Sequence, residues 1–401
     1  MRGKLAILLV LVLILLNVAS VAAQDEFVFG VVLVGPHDDH GWSQAHYEGG
    51  KYVEEHVPNT RMVWYESLNP ADAPEATLLG VVTDMVDEGA KLIFTTSDSF
   101  EEDTNTVAEA FPDVQFVNIT GSNVLDKENP APPNVSNFDG MMEITEGIAG
   151  CAAALTSQTG TIGYVGPLIN PETRRLAASA YLGGKYCWEN YRNLDPADFN
   201  FIVTWIGFWF NIPGVTLDPT DAANDLFNEG ADVVFSAIDT AEAVVVAGQR
   251  RDRGEDVYGM GYDNAAACDV APEACLGAPF YNWGPSYTDT VQKVMSGEWT
   301  QSWEWNPPDY ADLNNLDSTS VSFFRGPALS EDVSAQLDKF VAEASAYGSD
   351  PANADSIFLW EGPLNLQDGT ELAPAGEKVD MMDIWFLPQL LEGMTGASTS
   401  E

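Results

Sequence analysis

Glu88-Gly89-Ala90-Lys91-Leu92-Ile93-Phe94 and Glu229-Gly230-Ala231-Asp232-Val233-Val234-Phe235 are one phrase written twice. In each copy an amphipathic segment of helix length runs into Glu-Gly and an apolar run of strand length follows. An acidic residue, Asp98 or Asp239, stands just beyond. Glycine permits the left-handed backbone that ends a helix, and a short apolar run bounded by turn residues reads as a buried strand. A helix-turn-strand unit that recurs predicts an internally duplicated α/β protein.

The same rhythm continues outward from both copies. Strands are predicted at 27–34, 61–66, 91–96 and 114–119, with helices near 43–57, 74–88 and 101–110. After the Pro-rich segment Asn129 to Asn134 the pattern restarts, with strands at 161–166, 199–205, 231–237 and 257–262. Helices near 142–157, 172–191, 219–229 and 240–252 fill the gaps. Strands alternating with helices form parallel sheets, so the fold expected is α/β, two Rossmann-like lobes with parallel sheets joined by a hinge. The expected division is 24–138 plus 284–305 for the N-terminal lobe and 139–283 plus 306–330 for the C-terminal lobe. Residues 331–401 would form a terminal helix and a lobe-crossing segment.

Residues 1–23 read as a signal peptide: Arg2 and Lys4, an apolar run from Leu5 to Leu16, then Val21-Ala22-Ala23 before Gln24. That run is shorter than the ~20 residues a membrane-spanning helix needs. The chain is therefore expected to be exported, periplasmic or at the cell surface, and soluble after cleavage. Gln24 offers no cysteine for lipid attachment. Loss of Arg2 and Lys4 from 17 basic residues leaves 15 against 61 acidic ones, a formal −46. Such a charge makes nucleic acid and anionic membranes poor partners. It reads first as surface solvation, for instance in a salty habitat, and second as attraction of cationic ligands.

Ligands of doubly wound sheets bind beyond the carboxyl ends of the strands. There the chain carries Gly35-Pro36-His37-Asp38-Asp39-His40-Gly41-Trp42, Ser97-Asp98-Ser99-Phe100, Trp205 to Phe210 with Asn211, Asp239-Thr240, Tyr262-Asp263-Asn264 and Tyr281-Asn282-Trp283-Gly284-Pro285. Aromatic residues clustered at loop positions suggest a flat ligand stacked between rings, although any one of them, Trp205 and Phe208 above all, would equally pack a lobe core. Neighbouring polar residues, Asp39, Asp98, Asn211, Asp239, Asp263 and Asn282, supply groups to orient the ligand's edge.

Competing chemistries leave weaker traces. His37, Asp38, Asp39, His40 and His46 suggest a metal, yet no helical His-x-x-x-His pair is present. No Gly-x-Ser-x-Gly elbow, Walker loop or His-Glu-x-x-His motif supports an enzyme, and no cofactor is expected. Asp312, Asn314 and Asp317 lack the third ligand and glycine of a calcium loop. Asn118-Ile119-Thr120 and Asn134-Val135-Ser136 match the glycosylation triplet, a pattern frequent by chance. Four cysteines in an exported chain favour disulfides. Cys268 with Cys275 and Cys151 with Cys187 is the pairing expected, although three connectivities stay open.

Gly-Pro-x-x-Asp-x-Gly-Trp at 35–42 with His46, Gly-Tyr-Asp at 261–263 and Asn-Trp-Gly-Pro at 282–285 occur here in one order. Together they resemble the basic membrane protein (BMP) family, substrate-binding proteins of ABC importers similar in fold to type I periplasmic binding proteins. The likeness runs from about Phe27 to Gly393, through Glu361-Gly362-Pro363 and Pro374-Ala375-Gly376. It implies capture of a purine nucleobase or nucleoside in an interlobe cleft that closes about a hinge, delivery to ABC permease subunits, and no catalysis. By resemblance Trp42 and Phe100 would line the first lobe's face, and Trp209, Phe210, Asn211, Asp239, Asp263 and Trp283 the second's. Asn211 departs from the family's acidic residue, and Asp98-Ser99 replaces a Gly-rich stretch. A monomer is expected. Another small solute, sugar-like or metal, or a detachable sensory role is the alternative.

Overall fold

The computed structural model describes residues 26–399. The expected signal peptide lies outside them.

Strands β1 (Phe27–Val32), β2 (Thr60–Tyr65), β3 (Ala90–Thr95), β4 (Gln115–Ile119) and β5 (Val135–Gly140) belong to a first sheet. β6 (Thr161–Gly166), β7 (Asn200–Trp205), β8 (Val233–Ser236) and β9 (Tyr258–Met260) belong to a second. β10 (Gly277–Tyr281), β11 (Trp303–Asn306) and β12 (Val321–Arg325) follow. The first sheet runs β11-β5-β4-β3-β1-β2 with every pairing parallel. The second runs β7-β6-β8-β9, also parallel, with Met394–Thr395 added beside β7. β10 pairs antiparallel with β12 and touches the β9 edge through bridges at Gly259–Cys275 and Asp263–Phe280.

Helices α1 (Trp42–His56), α2 (Leu78–Asp87), α3 (Glu101–Ala110), α4 (Met142–Thr156), α5 (Pro171–Asn190), α6 (Pro219–Asn228), α7 (Glu242–Asp252), α8 (Trp283–Ser296) and α9 (Glu331–Ser349) cover the sheets. The duplicated Glu-Gly does the same work twice: Gly89 and Gly230 take φ of 101° and 105° as α2 turns into β3 and α6 into β8. A side chain there would clash with its own backbone. α5 begins in a capping box, Asn170 accepting from the Thr173 N–H and Thr173 from the Asn170 N–H, with Pro171 at the first helical position.

The chain leaves the first sheet after β5, returns to it with α8 and β11, and then crosses back to pair β12 with β10. α4 and α5 lie close enough that a Cβ on Gly150 would stand 1.9 Å from the Ala180 carbonyl oxygen. The Cys151–Cys187 disulfide joins this helix pair, and Cys268–Cys275 closes the loop before β10. The C-terminal third sits mainly on the second sheet's unit: α9 packs on α4. It also reaches the first sheet, where Trp385 meets Trp303 and Trp305 of β11 edge-on at 4.8 and 4.9 Å. No helix among the described residues is long and apolar enough to cross a membrane.

Candidate functional site

Between the carboxyl ends of the two sheets lies a narrow cavity of about 10 Å³, room for roughly one water molecule between closely apposed walls. Val34, Trp42, Ser97, Asp98 and Thr120 line it from the first sheet's side, and Glu172, Trp209, Asp239, Tyr262 and Asp263 from the second's. Asp98 follows β3 and Asp239 follows the corresponding strand β8, so the duplicated phrase delivers one carboxyl from each side.

Trp42 opens α1 and is held by its indole N–H donating to the Thr96 carbonyl at 2.7 Å. Its ring meets His46 at 4.5 Å and Tyr281 at 5.2 Å edge-on. Asp39 fixes this helix start: Oδ1 accepts the N–H groups of Gly41 and Gln44 at 2.9 and 3.0 Å, and Oδ2 that of Ser43 at 2.9 Å. Asp98 Oδ2 accepts from Asn170 Nδ2 at 3.3 Å, a bond across the cleft. The Asp239 N–H donates to the Trp209 carbonyl at 3.0 Å, tying the loop after β7 to the loop after β8. Thr120 and Asp263 both hold positive φ, 61° and 64°. For residues with a Cβ that costs roughly 1–3 kcal/mol and clusters at functional sites.

The cavity is acidic and its carboxyls are buried or half-buried. Burial raises the Asp98 carboxyl, and burial followed by the negative charges of Asp39 and Asp98 pushes Asp239 well up. Burial, then Asp239 and Asp39, does the same to Asp263. Glu172, second residue of α5, is raised by burial although Arg175 opposes it. Asp263 is fully buried, and neither of its carboxyl oxygens has a hydrogen-bond partner among the described residues. Such a group demands a donor or a positive charge.

Other residues singled out by sequence stand elsewhere. Phe100 lines a neighbouring apolar groove with Leu68, Leu78 and Phe208. Phe210 packs edge-on against Phe208 at 5.1 Å. Asn211 accepts from the Thr216 hydroxyl at 3.1 Å, and Asn282 donates to the Leu316 and Thr319 carbonyls, both at 2.8 Å. Trp283, 2% exposed, is stacked between His46 and Tyr281 at 4.5 Å from each. It is an interior ring behind Trp42. The metal-like cluster disperses: His37 bonds Glu66 at 2.6 Å, whereas His46 is buried against the Tyr287 hydroxyl at 2.7 Å. Among the described residues no group of three or more His, Cys, Asp or Glu side chains is arranged to hold a metal. Both glycosylation-pattern asparagines, Asn118 and Asn134, are buried.

Sequence reading did not single out Val34, Ser97, Thr120, Glu172 or Tyr262 as ligand residues. All but Glu172 sit at or within a few residues of a predicted strand end, so the strand-end rule applied without regard to residue type would have found them. Glu172 was hidden as an ordinary first-turn acid of a helix.

Residues 27–306 match the Bmp sequence profile, described as ABC transporter substrate-binding protein PnrA-like. The chain belongs to the Bmp family. Bmp proteins are extracytoplasmic substrate-binding components of ABC transporters and not enzymes, so a small-molecule ligand and permease partners come with membership. This Bmp chain is 28% identical to a purine-binding protein of Brucella abortus over 360 residues, 89% of this chain and 90% of that one. It is also 28% identical, over 67% of its own length and 61% of the other's, to a candidate ABC transporter glucose-binding protein of Haloferax volcanii. A solute-binding protein of an ABC transporter from Aeropyrum pernix superposes with a TM-score of 0.60 at 14% identity, covering 80% of this chain and 88% of that one. One from Conexibacter woesei does so at 0.57 and 18%, covering 81% and 97%. These two likenesses establish the type I binding-protein fold and nothing finer.

Proposed function

We propose that this Bmp chain captures a purine nucleobase or nucleoside in the interlobe cavity and presents it to an ABC permease. The purine ring would lie against Trp42 and Trp209, with Asp98, Asp239 and Asp263 accepting from its exocyclic amino group or ring N–H. Glu172, Ser97, Thr120 and Tyr262 complete the surround. Asp39 and Trp283 act by holding Trp42 in place, and Phe100, Phe210, Asn211 and Asn282 by shaping the loops. The observation that carries the reading is Asp263: a carboxyl buried without a partner among the described residues, in a cavity walled by tryptophans, supports a planar ligand with donors on its edge. The name of the Brucella relative agrees with that chemistry.

Binding would couple to hinge closure, the ligand settling on one lobe and the other completing its surround. The lobes would be 24–138 plus 284–305 and 139–283 plus 306–330. Export with cleavage after Ala23 and action as a monomer belong to the same proposal.

One observation favours a second reading. The polar side chains around the cavity are mostly acceptors, which also suits the many hydroxyl donors of a sugar, and the Haloferax relative is named for glucose. Calorimetric titration of ligand-stripped protein with adenine, guanine, hypoxanthine, their nucleosides and glucose separates the two. Saturable binding to a purine with silence to glucose supports the proposal, and the reverse pattern overturns it.

A further inference from the structure

Four carboxyl groups, Asp98, Glu172, Asp239 and Asp263, line the interlobe cavity, and no lysine, arginine or histidine does. The buried cation behind them, Arg175, is already engaged by Asp139 at 3.0 Å and Glu143 at 2.6 Å. Asp263 contributes two buried oxygens that no group among the described residues satisfies. Hydroxyl donors on the walls come only from Ser97, Thr120 and Tyr262, and the Trp42 N–H is spent on Thr96. Even with the Trp209 indole N–H counted, acceptors therefore outnumber donors once the carboxyls are ionised.

With those carboxyls ionised, an uncharged purine is a poorer complement to that surface than a cationic one, because its ring nitrogens are themselves acceptors and would face carboxylate oxygens. Trp42, Trp209 and Tyr262 share the walls, and aromatic faces attract cations through their quadrupole, most strongly when water is excluded. Rings and carboxyls without a basic residue are the surround of an organic cation. The long-range field agrees, since the formal −46 expected of the mature chain concentrates cations at the protein surface.

We infer that the solute captured in this cavity carries a positive charge: a planar nitrogen heterocycle made cationic by alkylation of a ring nitrogen, an N-methylated purine being the form consistent with the proposed function. The inference rests on the purine reading for the ring alone; the charge follows from the cavity. Burial raises all four carboxyls, and repulsion from neighbouring carboxyls adds to it at Glu172, Asp239 and Asp263, so the ligand-free cavity retains protons that an entering cation displaces.

The test is calorimetric titration of the full mature chain, stripped of ligand, with two matched pairs and one non-purine cation. The pairs are 9-methyladenine with 7,9-dimethyladeninium and adenosine with 1-methyladenosine; the last probe is choline. Two pairs are used because a methyl group at one ring position would clash where another fits. The inference expects the charged member of at least one pair to bind about tenfold tighter or more. That gap should shrink in Asp263→Asn and, should that variant fail to fold, in Asp239→Asn. Uncharged members binding as tightly or more tightly in both pairs overturn the charge and leave the purine reading standing. Choline binding with silence to every purine sinks the purine reading and upholds the charge. Silence to all five probes overturns both.

Discussion

The carbonyl oxygen of Asp239 lies 1.9 Å from the point a Cβ on Gly41 would occupy. Gly41 precedes α1 on one side of the cleft and Asp239 follows β8 on the other, so the absence of a side chain lets the two backbones meet. Gly41→Ala should hold the lobes apart without disturbing either core. The expected outcome is a large loss of ligand affinity with a melting temperature close to wild type, and a radius of gyration by solution scattering that no longer falls on adding ligand. Unchanged affinity would show that this approach is not needed for binding.

Trp209 and Trp283 should separate by phenotype. Trp209 is partly exposed in a loop on the cavity wall, so Trp209→Ala should cost about 1–3 kcal/mol of binding, the usual range for stacking on a base, with little loss of stability. Trp283 is packed between His46 and Tyr281, so Trp283→Ala should cost about 3–5 kcal/mol of folding stability. Chemical denaturation alongside titration of both variants checks the contrast, and a Trp283→Ala protein of normal stability would contradict it.

Most of the fold was legible because its strands are apolar runs ended by Glu-Gly or similar turns. β5 was not, because Val135-Ser136-Asn137-Phe138-Asp139-Gly140 is half polar yet wholly buried. Asn137 donates to the Asn118 carbonyl and Asp139 pairs with Arg175, partners that composition does not reveal. The site was partly legible for the same reason. Asp98, Asp239 and Asp263 could be placed by following strand ends, whereas Asp39 looks the same in sequence whether its carboxyl caps a helix or meets a ligand. Only its three backbone donors assign it to the cap.

Asp39→Ala frees those three N–H groups at the start of α1. A lost cap costs about 1–2 kcal/mol, and the helix start carries Trp42. Reduced stability together with weaker binding is expected, measured by denaturation and titration on one preparation. Weaker binding at full stability would instead put Asp39 in contact with the ligand.

The carboxyls around the cavity set a pH dependence. Asp98, Glu172, Asp239 and Asp263 are raised, chiefly by burial, and Asp139 is pushed from 3.8 up to about 7. A carboxyl that holds its proton more firmly when folded stabilises the fold below its unfolded value, and that contribution is lost as pH rises through the folded value. The thermal midpoint of the ligand-free protein should therefore fall between about pH 4 and pH 7. A midpoint that rises across this window would contradict the assignment of these groups as buried and raised.

Arg175 bonds Asp139 and Glu143, and its guanidinium lies 4.1 Å from the Trp385 ring centre and 5.4 Å from that of Trp305. Asp139 lies near the carboxyl end of β5 and Glu143 in the first turn of α4, so this cation sits where the chain passes from the first sheet to the second unit. Arg175→Gln leaves two buried carboxyls without their cation and should cost about 3–5 kcal/mol of stability, read by denaturation. A cost below about 1 kcal/mol would mean that the pair is solvated in solution.

The most direct test of the central claim is the crystal structure of the mature chain soaked or grown with adenine. The account predicts the ring in the interlobe cavity, in contact with Trp42 and Trp209, with an amino or ring nitrogen within hydrogen-bond distance of Asp98, Asp239 or Asp263. Adenine bound outside that cavity, or excluded from it while a sugar occupies the same carboxyls, would contradict the claim.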